Sequence, residues 1–167
     1  MNDTVVYENV DAEPRVSPLV PMSIVELLRA VVTGAGVGLI VALVYFLMNK
    51  FVFGAVMCRP QSMTQCAQAP MYAYAVATVV GIIAGVAALV RMRIYRPLLA
   101  VLAAAIALWG VHTLLANVVW YWALVVAMLM FGVAYGLFAW LARIRSFILA
   151  LVVTIAVVVI MRLLIAA

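Results

Sequence analysis

Long apolar stretches separated by short polar or basic breaks dominate the chain from residue 23 to its end. Residues 1–22 are polar, with Asp3, Glu8, Asp11 and Glu13 set against Arg15, and prolines at 14, 18 and 21. That composition predicts a disordered acidic tail. The apolar pattern then opens on Ser23 with Glu26 three residues on, the signature of a capping box, so a first helix is expected over about residues 24–57. Its membrane-crossing part is expected to run from about Ala30 to Met48, with Lys50 reaching the headgroups beyond. Residues 58–70 form the one substantial polar loop between apolar runs, and a second helix is expected over 71–90 with Tyr72 and Tyr74 in an interfacial aromatic belt.

The stretch LVRMRIYRPL, residues 89–98, ends that run with Arg91, Arg93 and Arg96 before Pro97 opens the next. Apolar residues then continue to 141, about 44 residues or 66 Å of helix, which is too long for one crossing. Asn117, followed by Trp120, Tyr121 and Trp122, is the natural turn, giving helices over about 97–116 and 118–142; a re-entrant pair is the alternative. Arg143 and Arg145 close the fourth helix, and a fifth is expected over 146–165.

Arginines in short connections face the cytoplasm. The expected fold is therefore an all-α integral membrane protein of about five transmembrane helices, N-terminus cytoplasmic and C-terminus external, in a bacterial-type cytoplasmic membrane. Residues 1–22 form the tail and 23–167 the membrane domain. The first apolar run reads as a retained anchor rather than a cleaved signal. Leu89-x-Arg91-x-Arg93 is echoed by Leu141-x-Arg143-x-Arg145, which suggests two parallel helical hairpins after the first helix.

Composition strengthens the membrane assignment. The chain is 71% hydrophobic and 9% charged over 167 residues, and a soluble domain of that size buries only about 70% of its unfolded surface. The net charge of +5 does not imply nucleic acid, because the basic residues sit at the ends of apolar runs, where anionic lipid is the counter-charge.

Helices in lipid associate through close backbone approach or hydrogen bonds. Gly34 with Gly38, Gly81 with Gly85, and Gly132 with Gly136 give three GxxxG faces on three different helices, expected to pack within the chain rather than between copies. No Asp, Glu or Lys falls at mid-membrane depth, which argues against an ion-coupled transporter.

Few residues carry chemistry. His112 is the sole histidine and, with Thr113 and Asn117, marks a polar or ligand site near the external end; its expected role is a neutral hydrogen bond to a neighbouring helix, a pH-sensitive or ligand-binding role being the sharper alternative. Cys58 and Cys66 in the external loop are expected to form a disulfide. Their spacing is not that of a CxxC redox motif, although Met57, Met63 and Met71 nearby would suit Cu(I) were the thiols reduced. Arg162 reads as snorkelling, since the membrane segments offer it no carboxylate.

No nucleotide-binding loop, metalloprotease motif or paired carboxylates occur, and no motif is specific to a known family. The expectation is a non-catalytic multi-pass protein without a cofactor or a bound metal, serving as an accessory or structural subunit with a membrane-protein partner or further copies of itself. A small transporter or channel for an uncharged or lipid-like solute is the alternative, and an external thiol-redox or Cu(I) protein the third reading.

Overall fold

The computed structural model describes residues 23–58, 63–92, 96–115 and 118–166. The acidic tail, Arg93 and Asn117 lie outside the described residues.

Helix α1, Ile24–Leu47, begins at the capping box: the Glu26 N–H donates to Ser23 Oγ at 3.1 Å and the Ser23 N–H to the Glu26 carboxylate at 2.9 Å. It continues through a π-helical turn, Met48–Phe53, into α2, Gly54–Met57. In that turn the Gly54 N–H reaches back to the Asn49 carbonyl, five residues away rather than four, which widens the helix locally.

Helix α3, Met63–Arg91, starts well before residue 71, so the expected loop of 58–70 is shortened to a few residues. Pro70 is the last residue of that expected loop. It lies inside the helix instead, because proline forfeits one backbone bond, here to the carbonyl of Cys66, while the alanines and glutamines before it favour helix.

After α4, Pro97–Ala107, the expected single helix over 97–116 is interrupted by a turn at Leu108–Gly110, where Gly110 adopts φ +96°, and a short α5, Val111–Leu115, follows. Helices α6, Trp120–Leu141, and α7, Phe147–Ala166, complete the chain. Among the described residues, three helical stretches are long and apolar enough to cross a membrane: Ile24–Met57, Gln65–Arg91 and Trp120–Leu141. Helix α4 and the stretch Phe147–Leu163 of α7 are shorter apolar helices.

Helix α1 packs antiparallel to both α6 and α3, and α6 is the most buried of the three long helices. A Cβ on Gly34 would lie 2.5 Å from the Cβ of Tyr135, and one on Gly38 would lie 2.7 Å from the Ala127 carbonyl oxygen. From the other side, Gly136 faces Val31 and Gly132 faces the Val31 carbonyl. The glycine faces of α1 and α6 thus meet each other, and the helices approach as closely as their backbones permit. Gly81 of α3 receives Val41 of α1, and Gly85 receives the Tyr135 hydroxyl. Tyr135, only 2% exposed, therefore fills the junction of α1, α3 and α6. A row of buried alanines, Ala100, Ala103, Ala104 and Ala107, lets α4 settle against its neighbours in the same way.

The turns after α3 and α6 lie at the same end of the bundle as Ser23. Thr33 of α1 donates to Met92 Sδ at 3.7 Å, and the Arg96 guanidinium donates to the carbonyls of Ile144 at 3.3 Å and Arg145 at 3.1 Å while lying 5.1 Å from the Phe147 ring centroid. Arg96 thus bridges the two turns, whereas Arg91 and Arg145 are exposed and Arg143 is half-buried. Its backbone is left-handed, φ 55° and ψ 60°, an unfavourable setting for a residue with a Cβ.

Two outcomes follow. Gly38→Ala destabilises the protein by about 1–3 kcal/mol, whereas Gly36→Ala, which meets open space, leaves it unchanged or slightly more stable; thermal melting in detergent reads both, and equal melting would refute the α1–α6 packing. At position 96, both Ala and Gly lose the bridge, but Gly relieves the left-handed strain, so Arg96→Gly melts above Arg96→Ala by about 1 kcal/mol of stability.

Candidate functional site

At the helix break the Leu108 carbonyl accepts from the Val111 N–H at 3.1 Å and the Gly110 carbonyl from the Thr113 N–H at 3.0 Å, and an unpaired carbonyl in an apolar bundle would be costly. Each of the three carbonyls also meets a side-chain donor. The Tyr74 hydroxyl donates to the Leu108 carbonyl at 2.7 Å, Arg162 Nη1 donates to the Trp109 carbonyl, and the Thr113 hydroxyl donates to the Gly110 carbonyl at 2.7 Å. Side chains from α3, α7 and α5 thus converge on three consecutive backbone oxygens. Arg162, read from sequence as a snorkelling cation, has a backbone partner across the bundle, a role that a search for carboxylates does not reveal.

The break turns α5 away from the line of α4 and leaves a cavity of about 580 Å³ at the end of the bundle opposite the arginine turns. Helix α1 contributes Val41, Ala42, Tyr45 and Phe46, and the π-helical turn adds Asn49. Helix α3 closes a second side with Ala67, Pro70, Met71 and Tyr74, and α5 adds Val111, His112 and Thr113. From α6 come Trp120, Ala123, Ala127 and Phe131. The space exists for local reasons. Four of the lining residues are alanines, the π-helical turn widens α1, and α5 lies off the axis of α4. Among the described residues no charged side chain lines it.

The structure places His112 at this cavity, its ring centroid 4.6 Å from that of Tyr74 and 6.3 Å from that of Tyr45. The hydrogen bond to a neighbouring helix expected for it is absent: Nδ1 is buried without a partner. Thr113 is beside it, with its hydroxyl engaged at Gly110. Tyr74, expected in an interfacial belt, is buried at 5% exposure and supports both the break and the cavity wall.

Cys58 and Cys66 are joined by a disulfide, with Cα atoms 4.5 Å apart, tying the end of α2 to the first turns of α3. In the bonded form neither sulfur is a thiolate ligand. The bond stands beside the cavity, since Ala67 and Pro70 follow Cys66 directly along the lining face. A smaller cavity of about 330 Å³ lies between α3, α4 and α7, bordered by Thr78, Leu102, Trp109 and Arg162 among others.

No protein family, no curated protein and no solved structure matches this chain.

Arg162→Leu removes the side-chain donor of the Trp109 carbonyl, whereas Tyr74→Phe leaves the Leu108 carbonyl its bond from the Val111 N–H. Arg162→Leu is therefore expected to cost about 1–3 kcal/mol of stability and Tyr74→Phe about 0.5–1.5 kcal/mol, read as earlier melts, with Arg162→Lys closer to the wild type than Arg162→Leu; melting of both single variants like the wild type would show that the break needs neither donor.

Proposed function

We propose that this chain is a non-catalytic, multi-pass protein of a bacterial-type cytoplasmic membrane that holds an uncharged, lipid-soluble molecule in the cavity between α1, α3, α5 and α6, for transfer or presentation. The observation that carries this reading is the cavity itself. Its volume falls in the range of about 300–1,000 Å³ usual for small-molecule sites, and its walls combine apolar and aromatic surface with a few polar groups. None of the described lining residues is charged, which favours a neutral occupant, because an ion placed there would meet no compensating partner among them.

The same reading orients the chain. With the arginine turns cytoplasmic, α1, α3, α6 and α7 make four crossings and α4 with α5 makes a fifth in two pieces, so the cavity and the disulfide lie toward the external face. A disulfide suits that compartment.

A second reading, an accessory subunit, is favoured by α7. That helix is held chiefly through α4 and leaves Ile148, Val152, Ile155 and Leu163 exposed on its outward side. A membrane-protein partner seated there would be recovered by cross-linking in native membranes.

The cavity reading is tested by extracting the protein with its surrounding lipid into polymer-bounded discs and identifying retained small molecules by mass spectrometry. The wild type is expected to retain a neutral lipid-soluble compound in a defined ratio to protein. Ala67→Trp, which fills the cavity, is expected to lose it, and Ala87→Trp, on an exposed face of α3 away from the cavity, is expected to keep it. Equal retention by all three would sink the proposal.

A further inference from the structure

The polar groups around the cavity divide into two sets. The hydroxyls of Tyr74 and Thr113 are spent as donors on the carbonyls of Leu108 and Gly110. The side chains of Tyr45, Asn49 and His112 have no hydrogen bond to any described residue, and all three border the cavity. Tyr45 and Asn49 are four residues apart, hence neighbours on one face of α1 and its π-helical turn. The His112 ring approaches Tyr45 from α5, with 6.3 Å between centroids. Three unspent polar groups from two elements therefore gather at one part of the wall.

All three are neutral hydrogen-bond donors in this setting. Among the described residues Glu26 is the one carboxylate, and it caps α1 at the opposite end, so nothing anionic faces His112 to favour its charged form. Because Nδ1 is sealed without a partner, Nε2 is the nitrogen that can meet an occupant. Placing the proton on Nε2 spares the interior an unpaired N–H. The phenol of Tyr45 and the amide of Asn49 each supply a further donor. The remaining wall is largely aliphatic and carries four aromatic rings, Phe46, Tyr74, Trp120 and Phe131, whose faces accept flat rings by offset or edge-on packing.

We propose that the cavity binds the head ring of a lipid-soluble quinone, with Tyr45, Asn49 and His112 donating hydrogen bonds to its carbonyl oxygens and the aromatic side chains packing on the ring. This rests on the reading of the cavity as a site for a neutral, lipid-soluble molecule, and names the class. A quinone offers acceptor oxygens on both sides of a flat, uncharged ring, and its isoprenoid tail is soluble in the bilayer. A sterol or a long-chain alcohol presents a single hydroxyl and would leave most of the donors unmatched. A phospholipid or fatty acid carries charge that no lining residue answers.

The experiment uses the full chain in lipid nanodiscs, labelled with a photoreactive azidoquinone, the label mapped by mass spectrometry and displaced with decylubiquinone, cholesterol or oleyl alcohol. Labelling is expected on peptides containing Tyr45–Asn49 and Val111–Thr113, with displacement by decylubiquinone alone. Tyr45→Phe and His112→Phe keep a ring and remove a hydrogen-bonding group; each is expected to weaken decylubiquinone binding by roughly three- to tenfold, with melting temperatures near the wild type. Unchanged affinity in both variants overturns the assignment of the donors. Displacement by cholesterol or oleyl alcohol as effective as by decylubiquinone overturns the quinone and leaves the cavity as a general lipid site. If no label is displaced by any of the three compounds, and Ala67→Trp retains the same small molecules as the wild type, the broader reading of the cavity falls as well.

Discussion

A backbone that leaves its helix inside an apolar bundle must find partners for its carbonyls, and the turn at Leu108–Gly110 draws on both backbone and side chains. The Val111 and Thr113 N–H groups serve the Leu108 and Gly110 carbonyls, the Tyr74 and Thr113 hydroxyls add a second donor to each, and Arg162 serves the Trp109 carbonyl. These bonds come from α3, α7 and α5, so the break that weakens one helix also fastens three others around it. Gly110 makes the turn sterically permissible, because its φ of +96° is one that a residue with a Cβ rarely adopts. The cavity is a consequence, since α5 can diverge from α4 only once the carbonyls behind it are satisfied.

The bundle is built in two different ways along its length. Toward the arginine turns, packing depends on missing side chains: Gly34 and Gly38 against α6, Gly132 and Gly136 against α1, and Gly85 against the hydroxyl of Tyr135. Dispersion and backbone contact are the available attractions between helices in lipid, and removing Cβ atoms maximises both. Arg96 adds a polar tie between the two turns at that end. Toward the other end, alanines on α1, α3 and α6 face an open volume rather than a partner helix, and a π-helical turn and a disulfide replace close packing. One end is arranged for cohesion and the other for access.

The membrane class, the capped start of α1 and the three long apolar helices are legible in the sequence, because each rests on local pattern: hydrophobic run length and the Ser23–Glu26 spacing. So is the pairing of two cysteines that stand a short distance apart in one loop. The break in the third helix is not legible, since a single glycine in the apolar run around Trp109 is ordinarily tolerated within a membrane helix. The break is supported by Tyr74 on the Leu108 carbonyl, 34 residues away, and by Arg162 on the Trp109 carbonyl, 53 residues away, and no local window contains either. Pro70 misleads for the opposite reason. It is a strong local stop signal, and the surrounding helix overrides it. His112 was recognisable as unusual by type and position, but its isolation from any partner is a tertiary fact.

Why polar groups should stand unspent in such a place is a question of energetics rather than pattern. A donor buried in a low-dielectric wall without an acceptor carries a penalty of about 1–3 kcal/mol, and a fold gains nothing intrinsic by keeping several together. Tyr74 and Thr113 commit their hydroxyls to the turn, whereas the hydroxyl of Thr154 on α7, away from this cavity, is buried without a partner. Tyr45, Asn49 and His112 share one wall of the cavity and stay uncommitted. A neutral molecule bearing acceptor oxygens would satisfy such groups without bringing an uncompensated charge into the bilayer, which is the physical basis of the quinone proposal.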